Sequence, residues 1–173
     1  EYLVKHDAIK SVAFTGSFNG GKALFDWANQ RKNPIPVFAE MGSVNPVFLL
    51  PEKLRTATES LAKQMAGSVT LGVGQFCTNP GLMVAIDGET LDLFIQYLKT
   101  EIEALTPSAM LHQGIATNYK EKLAAALAQK GVQLVGESNS KASEIQGQIT
   151  VATVAADVFL ENPILHQEVF GPY

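Results

Sequence analysis

Ile35-Pro36-Val37-Phe38-Ala39-Glu40-Met41-Gly42-Ser43-Val44-Asn45-Pro46-Val47-Phe48-Leu49-Leu50 contains two short apolar runs, residues 35–40 and 46–50, on either side of a small polar connection. Both are rich in β-favouring side chains, and neither alternates polar with apolar residues as a strand with one wet face does. Continuous runs of this kind suit parallel strands covered on both faces. Working towards the N-terminus, residues 11–15 form another apolar run that ends in Gly16-Ser17, a buried strand entering a turn. Leu24, Phe25 and Ala28 then fit a helix from Gly21 to Arg31, which stops before Asn33-Pro34.

Towards the C-terminus, Leu54, Leu61, Met65 and Val69, with Ala57, Ala62 and Ala66, lie on one face of a long helix expected to end near Gly72 or Gly74. Residues 74–81 form a loop and residues 82–87 a strand, and Leu91, Phe94, Ile95, Leu98 and Ile102 recur at helical spacing. A helix over residues 117–130 with Gly131 as its C-cap leads to a strand at 132–135, a polar surface loop at 138–147 and a last strand at 148–154. Residues 163–173 read as irregular. Strands and helices alternating in this way predict an α/β fold, a largely parallel sheet with flanking helices.

Composition excludes several classes of function. A net charge of -4 over 173 residues, with no block of like charge, gives no grip on nucleic acid or an anionic membrane. The longest apolar runs fall far short of the roughly 20 residues a bilayer requires, and no signal peptide is visible, so a cytoplasmic protein is expected. A single cysteine rules out an internal disulfide framework, and His6, His112 and His166 lack ligand spacing, so no metal site is expected. No repeat is present. Both ends stop abruptly, which reads as a segment of a longer chain.

Three features carry chemistry. Cys77 stands in Gly74-Gln75-Phe76-Cys77-Thr78-Asn79, a loop whose backbone N–H groups are placed to stabilise a thiolate and an oxyanion. A lone cysteine is more often a small buried apolar residue, and only its loop raises it to a candidate nucleophile. Glu40 ends an apolar strand, at the carboxyl edge where open α/β sheets place their sites. In an apolar mouth its pKa would rise, as a base that activates water requires, although a capping or surface carboxylate is the plainer reading. Gly16-Ser17-x-x-Gly20-Gly21 joins strand to helix with small residues that let backbone approach a phosphate, but lacks the G-x-G-x-x-G spacing.

Taken together these strings resemble the aldehyde dehydrogenase family. Phe14-Thr15-Gly16-Ser17 followed by Gly21 is similar to its FTGS-x-x-x-G turn, and Glu40-Met41-Gly42-Ser43-Val44-Asn45-Pro46 to its E-[LM]-G-x-x-N-P base motif. Gly74-Gln75-Phe76-Cys77 resembles the G-Q-x-C nucleophile loop, and Glu168-Val169-Phe170-Gly171-Pro172 the E-[IV]-F-G-P string. The resemblance implies Cys77 as nucleophile and Glu40 as general base. It further implies Gly16, Ser17, Gly21, Glu168 and Phe170 as contacts to NADP or NAD, and a catalytic domain of the aldehyde dehydrogenase type. Residues 1–40 would close the nucleotide-binding domain and 41–173 would form most of the catalytic domain. A small aldehyde is the implied partner and a homo-oligomer the implied assembly of the parent protein. The second oxyanion donor, an asparagine side chain, would come from upstream of residue 1, so the isolated segment is expected to be inactive.

Gly42-Ser43-Val44 stands where most members carry Gly-Gly-Lys, and residues 39–48 look like those of bacterial α-ketoglutaric semialdehyde (2,5-dioxovalerate) dehydrogenases. NADP-dependent fatty aldehyde dehydrogenases are the alternative within the family, and a CoA-acylating reaction would make a water-activating Glu40 unnecessary. An alternative of another class is a non-catalytic nucleotide-binding module with an inert, buried Cys77. Asn45 and Asn79 read as turn-stabilising, Trp27 as core packing, and His112 and His166 as surface or turn residues.

Overall fold

The computed structural model describes residues 1–173 and shows a mixed α/β architecture of six helices and six strands. The chain divides into two compact units, Glu1–Ser43 and Val44–Tyr173.

The first unit comprises α1 (Tyr2–Lys5), β1 (Val12–Gly16), α2 (Phe18–Asn29) and β2 (Val37–Met41). Strands β1 and β2 pair in parallel, with Thr15 opposite Glu40 and Gly16 opposite Met41, so both carboxyl ends lie at one edge. Helix α2 begins three residues earlier than its apolar periodicity indicates. Ser17 caps it, with Oγ accepting the Gly20 N–H at 3.2 Å. Gly20 and Gly21 are therefore helical despite their low propensity. Packing accounts for Gly21: a Cβ there would overlap the thioether of Met41, so its bare backbone lets α2 sit down on β2.

The second unit holds β3 (Pro46–Leu49), α3 (Pro51–Thr70), a 3-10 turn (Leu71–Gly74), β4 (Leu82–Ala85), α4 (Glu89–Ala104), α5 (Gln113–Leu127), β5 (Gln133–Glu137), β6 (Thr150–Thr153) and α6 (Ala156–Glu161). Strands β3 and β4 are parallel, whereas β5 and β6 are antiparallel with an irregularity between Leu134 and Gly136. The main core lies where α3 and α4 meet. Leu54, Leu61, Met65, Phe94, Leu98 and Ile102 are buried there against Leu49, Ile149 and Val151. These are the positions the 3.6-residue spacing selects in α3 and α4. A second core forms around α5 from Met110, Ala116, Tyr119 and Leu123, with Val73, Val169 and Tyr173 packed against it.

The strands differ from expectation in one respect. Phe38 on β2 is 69% exposed and Phe48 on β3 is 67% exposed, so each run is covered by its own unit on one face only. Helix α2 covers one side of β1–β2, and the core beneath α3 and α4 takes Val47, Leu49, Met83 and Ala85 from the inner face of β3–β4.

Candidate active site

In the first unit the parallel register brings Glu40 beside the Gly16-Ser17 turn at the carboxyl edge of β1 and β2. Glu40 is exposed, on the same strand face as Phe38. The enclosed apolar mouth expected around it is not formed within Glu1–Ser43. The first turn of α2 carries no acidic side chain, and Ser17, Phe18 and Asn19 are exposed. The Phe18 and Asn19 N–H groups, which the Ser17 cap leaves open, form with the serine hydroxyl a donor set suited to an anion such as a phosphate.

In the second unit Cys77 is exposed on the loop that follows α3. Three consecutive residues before it adopt positive φ, Gly72 at 57°, Val73 at 59° and Gly74 at 64°. For β-branched Val73 this left-handed backbone is costly. The Val73 side chain packs against the α5 core, which offsets the strain. No carbonyl accepts the N–H of Cys77 or of Thr78.

Asn45, immediately ahead of β3, holds this loop. Its Nδ2 donates to the Cys77 carbonyl at 2.6 Å and to the Asn79 carbonyl at 3.0 Å, and the Gly81 N–H donates to Val44 O at 2.9 Å. Asn45 adopts φ 39°, a left-handed conformation that asparagine tolerates better than most residues. The turn it stabilises belongs to the Cys77 loop, a longer reach than the local role expected from sequence. Gln75 supplies a second tether, donating from Nε2 to Gly72 O at 3.1 Å and accepting the Leu111 N–H at Oε1 at 2.9 Å.

The same unit brings residues 168–172 against this loop. A Cβ on Gly74 would overlap the Gly171 carbonyl group, and Asn79 Nδ2 donates to Gly171 O at 3.4 Å. The Asn79 Oδ1 atom is buried without a hydrogen-bond partner. Glu168 and Phe170 are half-buried, and Lys122 Nζ donates to the Glu168 carbonyl at 3.0 Å.

Tyr119 on α5 was not singled out by the sequence. Its side chain is fully buried, its hydroxyl lies 2.6 Å from Gln148 O and 3.1 Å from Pro172 O, and its ring lies so close to Gly171 that a Cβ there would overlap it. Burial pushes its phenol pKa well above the ordinary value. Burial raises the pKa of Tyr173 as well.

Two histidines have plain structural uses. His112 caps α5 through Nδ1, which accepts the Ile115 N–H at 3.3 Å, and His166 Nε2 lies 2.7 Å from Phe159 O with its ring against that of Phe159. No group of three His, Cys, Asp or Glu side chains is placed to hold a metal ion, and no helix is long and apolar enough to cross a membrane.

Val44–Tyr173 is thus an α/β unit in which an exposed cysteine stands on a tethered glycine-rich loop, against a string bearing a carboxylate and an aromatic ring. This chain belongs to the aldehyde dehydrogenase family, whose sequence profile matches residues 1–173. It is 43% identical over 170 residues to alpha-ketoglutaric semialdehyde dehydrogenase 2 of Azospirillum brasilense, covering 98% of this chain and 32% of that protein. It is 39% identical over 171 residues to alpha-ketoglutaric semialdehyde dehydrogenase of Acinetobacter baylyi, again covering 98% of this chain and 32% of the relative. Its fold matches the crystal structure of an NAD-dependent benzaldehyde dehydrogenase from Corynebacterium glutamicum with a TM-score of 0.77 at 20% identity, over 99% of this chain and 37% of that one. The chain therefore spans about a third of the length of these relatives.

Proposed function

We propose that the full-length protein carrying this sequence oxidises an aldehyde to its carboxylate with NAD or NADP as hydride acceptor, and that α-ketoglutaric semialdehyde is the substrate. The chemistry rests chiefly on Cys77, an exposed thiol whose carbonyl is clamped by Asn45 while the N–H groups of Cys77 and Thr78 stay available. The substrate rests on the 43% and 39% identity to two proteins named for that semialdehyde. An inert buried cysteine does not fit the exposure of Cys77.

The Cys77 thiolate adds to the aldehyde carbon to give a thiohemiacetal, with the Cys77 N–H stabilising the oxygen as it gains charge. A bound nicotinamide would supply the acceptor for the hydride released from this adduct. Glu40 removes a proton from water, which attacks the resulting thioester, and the carboxylate departs as Cys77 is released as thiolate. The residues suit the cofactor. Ser17 and the N–H groups opening α2 offer donors to a phosphate, whereas the Glu168 carboxylate and the Phe170 ring offer an acceptor to ribose hydroxyls and a flat apolar surface. In this reading residues 1–40 belong to the nucleotide-binding domain and residues 41–173 to the catalytic domain.

The test is reduction of NAD and NADP by the full-length protein over a panel of semialdehydes, fatty aldehydes and benzaldehyde, with and without CoA. Oxidation of α-ketoglutaric semialdehyde at the highest kcat/KM, without CoA and lost in Cys77→Ala, is expected. A CoA requirement, a preference for fatty aldehydes, or turnover that survives Cys77→Ala would overturn it.

A further inference from the structure

Tyr119 is the largest fully buried side chain, yet it lies in none of the motifs that carry the chemistry. Its neighbours show what it touches. The hydroxyl carries one proton, directed at Gln148 O and shared with Pro172 O. The Pro172 carbonyl also accepts the Thr150 N–H at 3.0 Å, which ties the string to the start of β6. The ring lies against the bare Cα of Gly171, and the Gly171 carbonyl and Pro172 nitrogen lie against Gly74, three residues before Cys77. Val169, between Glu168 and Phe170, packs into the core that contains Tyr119. Gly171 is thus held between an α5 side chain and the nucleophile loop.

We propose that Tyr119 is a positioning residue that sets the register of residues 168–172 against the Cys77 loop, and thereby the placement of Glu168 and Phe170 beside the nicotinamide riboside. The inference rests on the cofactor reading given above. Its physical content is a rigid contact chain, Tyr119 to Gly171 to Gly74, in which each neighbour is backbone or ring and none has a flexible end that can yield. With Val169 anchored inward, the residues on either side of it are constrained as well. Removal of the hydroxyl leaves the ring in place but frees Pro172 and Gln148 from their common partner. Residues 168–172 can then shift by a fraction of an ångström, and misplacement on that scale is costly to a transfer between held groups.

The test compares the full-length protein with Tyr119→Phe and Gly171→Ala, which disturb the contact from its two sides, and with Leu123→Ala in the same core as a control for simple loss of packing. Tyr119→Phe and Gly171→Ala should raise the nucleotide Kd, measured by fluorescence titration without aldehyde, by roughly tenfold, and lower kcat by roughly ten- to a hundredfold. The isotope effect with 1-deuterated aldehyde should grow, while the rate of Cys77 alkylation in the cofactor-free protein stays within about twofold of wild type. Leu123→Ala should lower Tm and leave Kd and isotope effect unchanged. Wild-type Kd and isotope effect in a folded Tyr119→Phe protein, or the same shifts in Leu123→Ala, would overturn the positioning role while leaving the proposed function intact. No nucleotide binding or reduction in the wild type would overturn the reading beneath it.

Discussion

Asn45 and Cys77, 32 residues apart in sequence, are joined by a hydrogen bond of 2.6 Å from the Asn45 side-chain amide to the Cys77 carbonyl. Because the bond uses the cysteine's main chain, it fixes the Cα from which the thiol projects and leaves the sulfur free. Asn45→Ala removes two loop-holding bonds and places alanine at φ 39°. Stability should fall by about 1–3 kcal/mol. Asn45→Gly relieves the backbone part alone. Denaturation of both variants checks this, with Asn45→Gly expected to be the more stable of the two and both slower than wild type in Cys77 acylation. Equal stability of Asn45→Ala and wild type would remove the clamp from the account.

Gly74→Ala should be among the most damaging small substitutions in the chain. Its φ of 64° disfavours any side chain, and the added methyl meets the Gly171 carbonyl group, which is backbone and cannot swing aside. A loss of about 3 kcal/mol or more is expected, read as a lowered midpoint of chemical denaturation. Gly21→Ala should cost less, because the atom in its way is the Met41 thioether, the movable part of a flexible side chain. The reverse order of stabilities would contradict the packing described.

Stability should depend on alkaline pH through Tyr119. Burial raises its pKa in the folded protein, whereas in the unfolded chain tyrosine titrates near 10. Above that pH the unfolded state has lost a proton that the native state keeps. The contribution is therefore complete below about pH 10 and declines, as pH rises towards the folded value, by about 1.4 kcal/mol per unit. Denaturation curves between pH 9 and 11.5 should show a shallower decline in Tyr119→Phe than in wild type. Parallel curves would mean that Tyr119 ionises alike in both states.

The four parallel strands were legible because their runs are apolar and bounded by Gly and Pro, and α3 and α4 because their buried residues recur at helical spacing. Short elements were not. The four-residue α1 and six-residue α6 are too brief to display a period, and α5 begins four residues earlier than expected because its cap is His112 rather than the more usual Ser, Thr, Asp or Asn. The segment 138–147 reads as a polar surface loop, yet Ser138 is buried and its carbonyl accepts from Gln148 Nε2 at 2.8 Å. Polar residues that satisfy one another inside a loop look the same in sequence as residues that face water. The candidate site divides in the same way. Cys77 and Glu40 stood out by type and place, but Asn45, Gln75 and Tyr119 act through main-chain atoms distant in sequence, and no periodicity or spacing records such contacts.

Glu40→Gln in the full-length protein, mixed rapidly with α-ketoglutaric semialdehyde and nucleotide, tests the central claim most directly. A burst of about one reduced nucleotide per Cys77, then stalled turnover with the acyl group recovered on Cys77 by mass spectrometry, is predicted, because the thiol can form the thioester but water is no longer activated to cleave it. Undiminished steady-state turnover in Glu40→Gln, or an acyl group found anywhere but on Cys77, would contradict it.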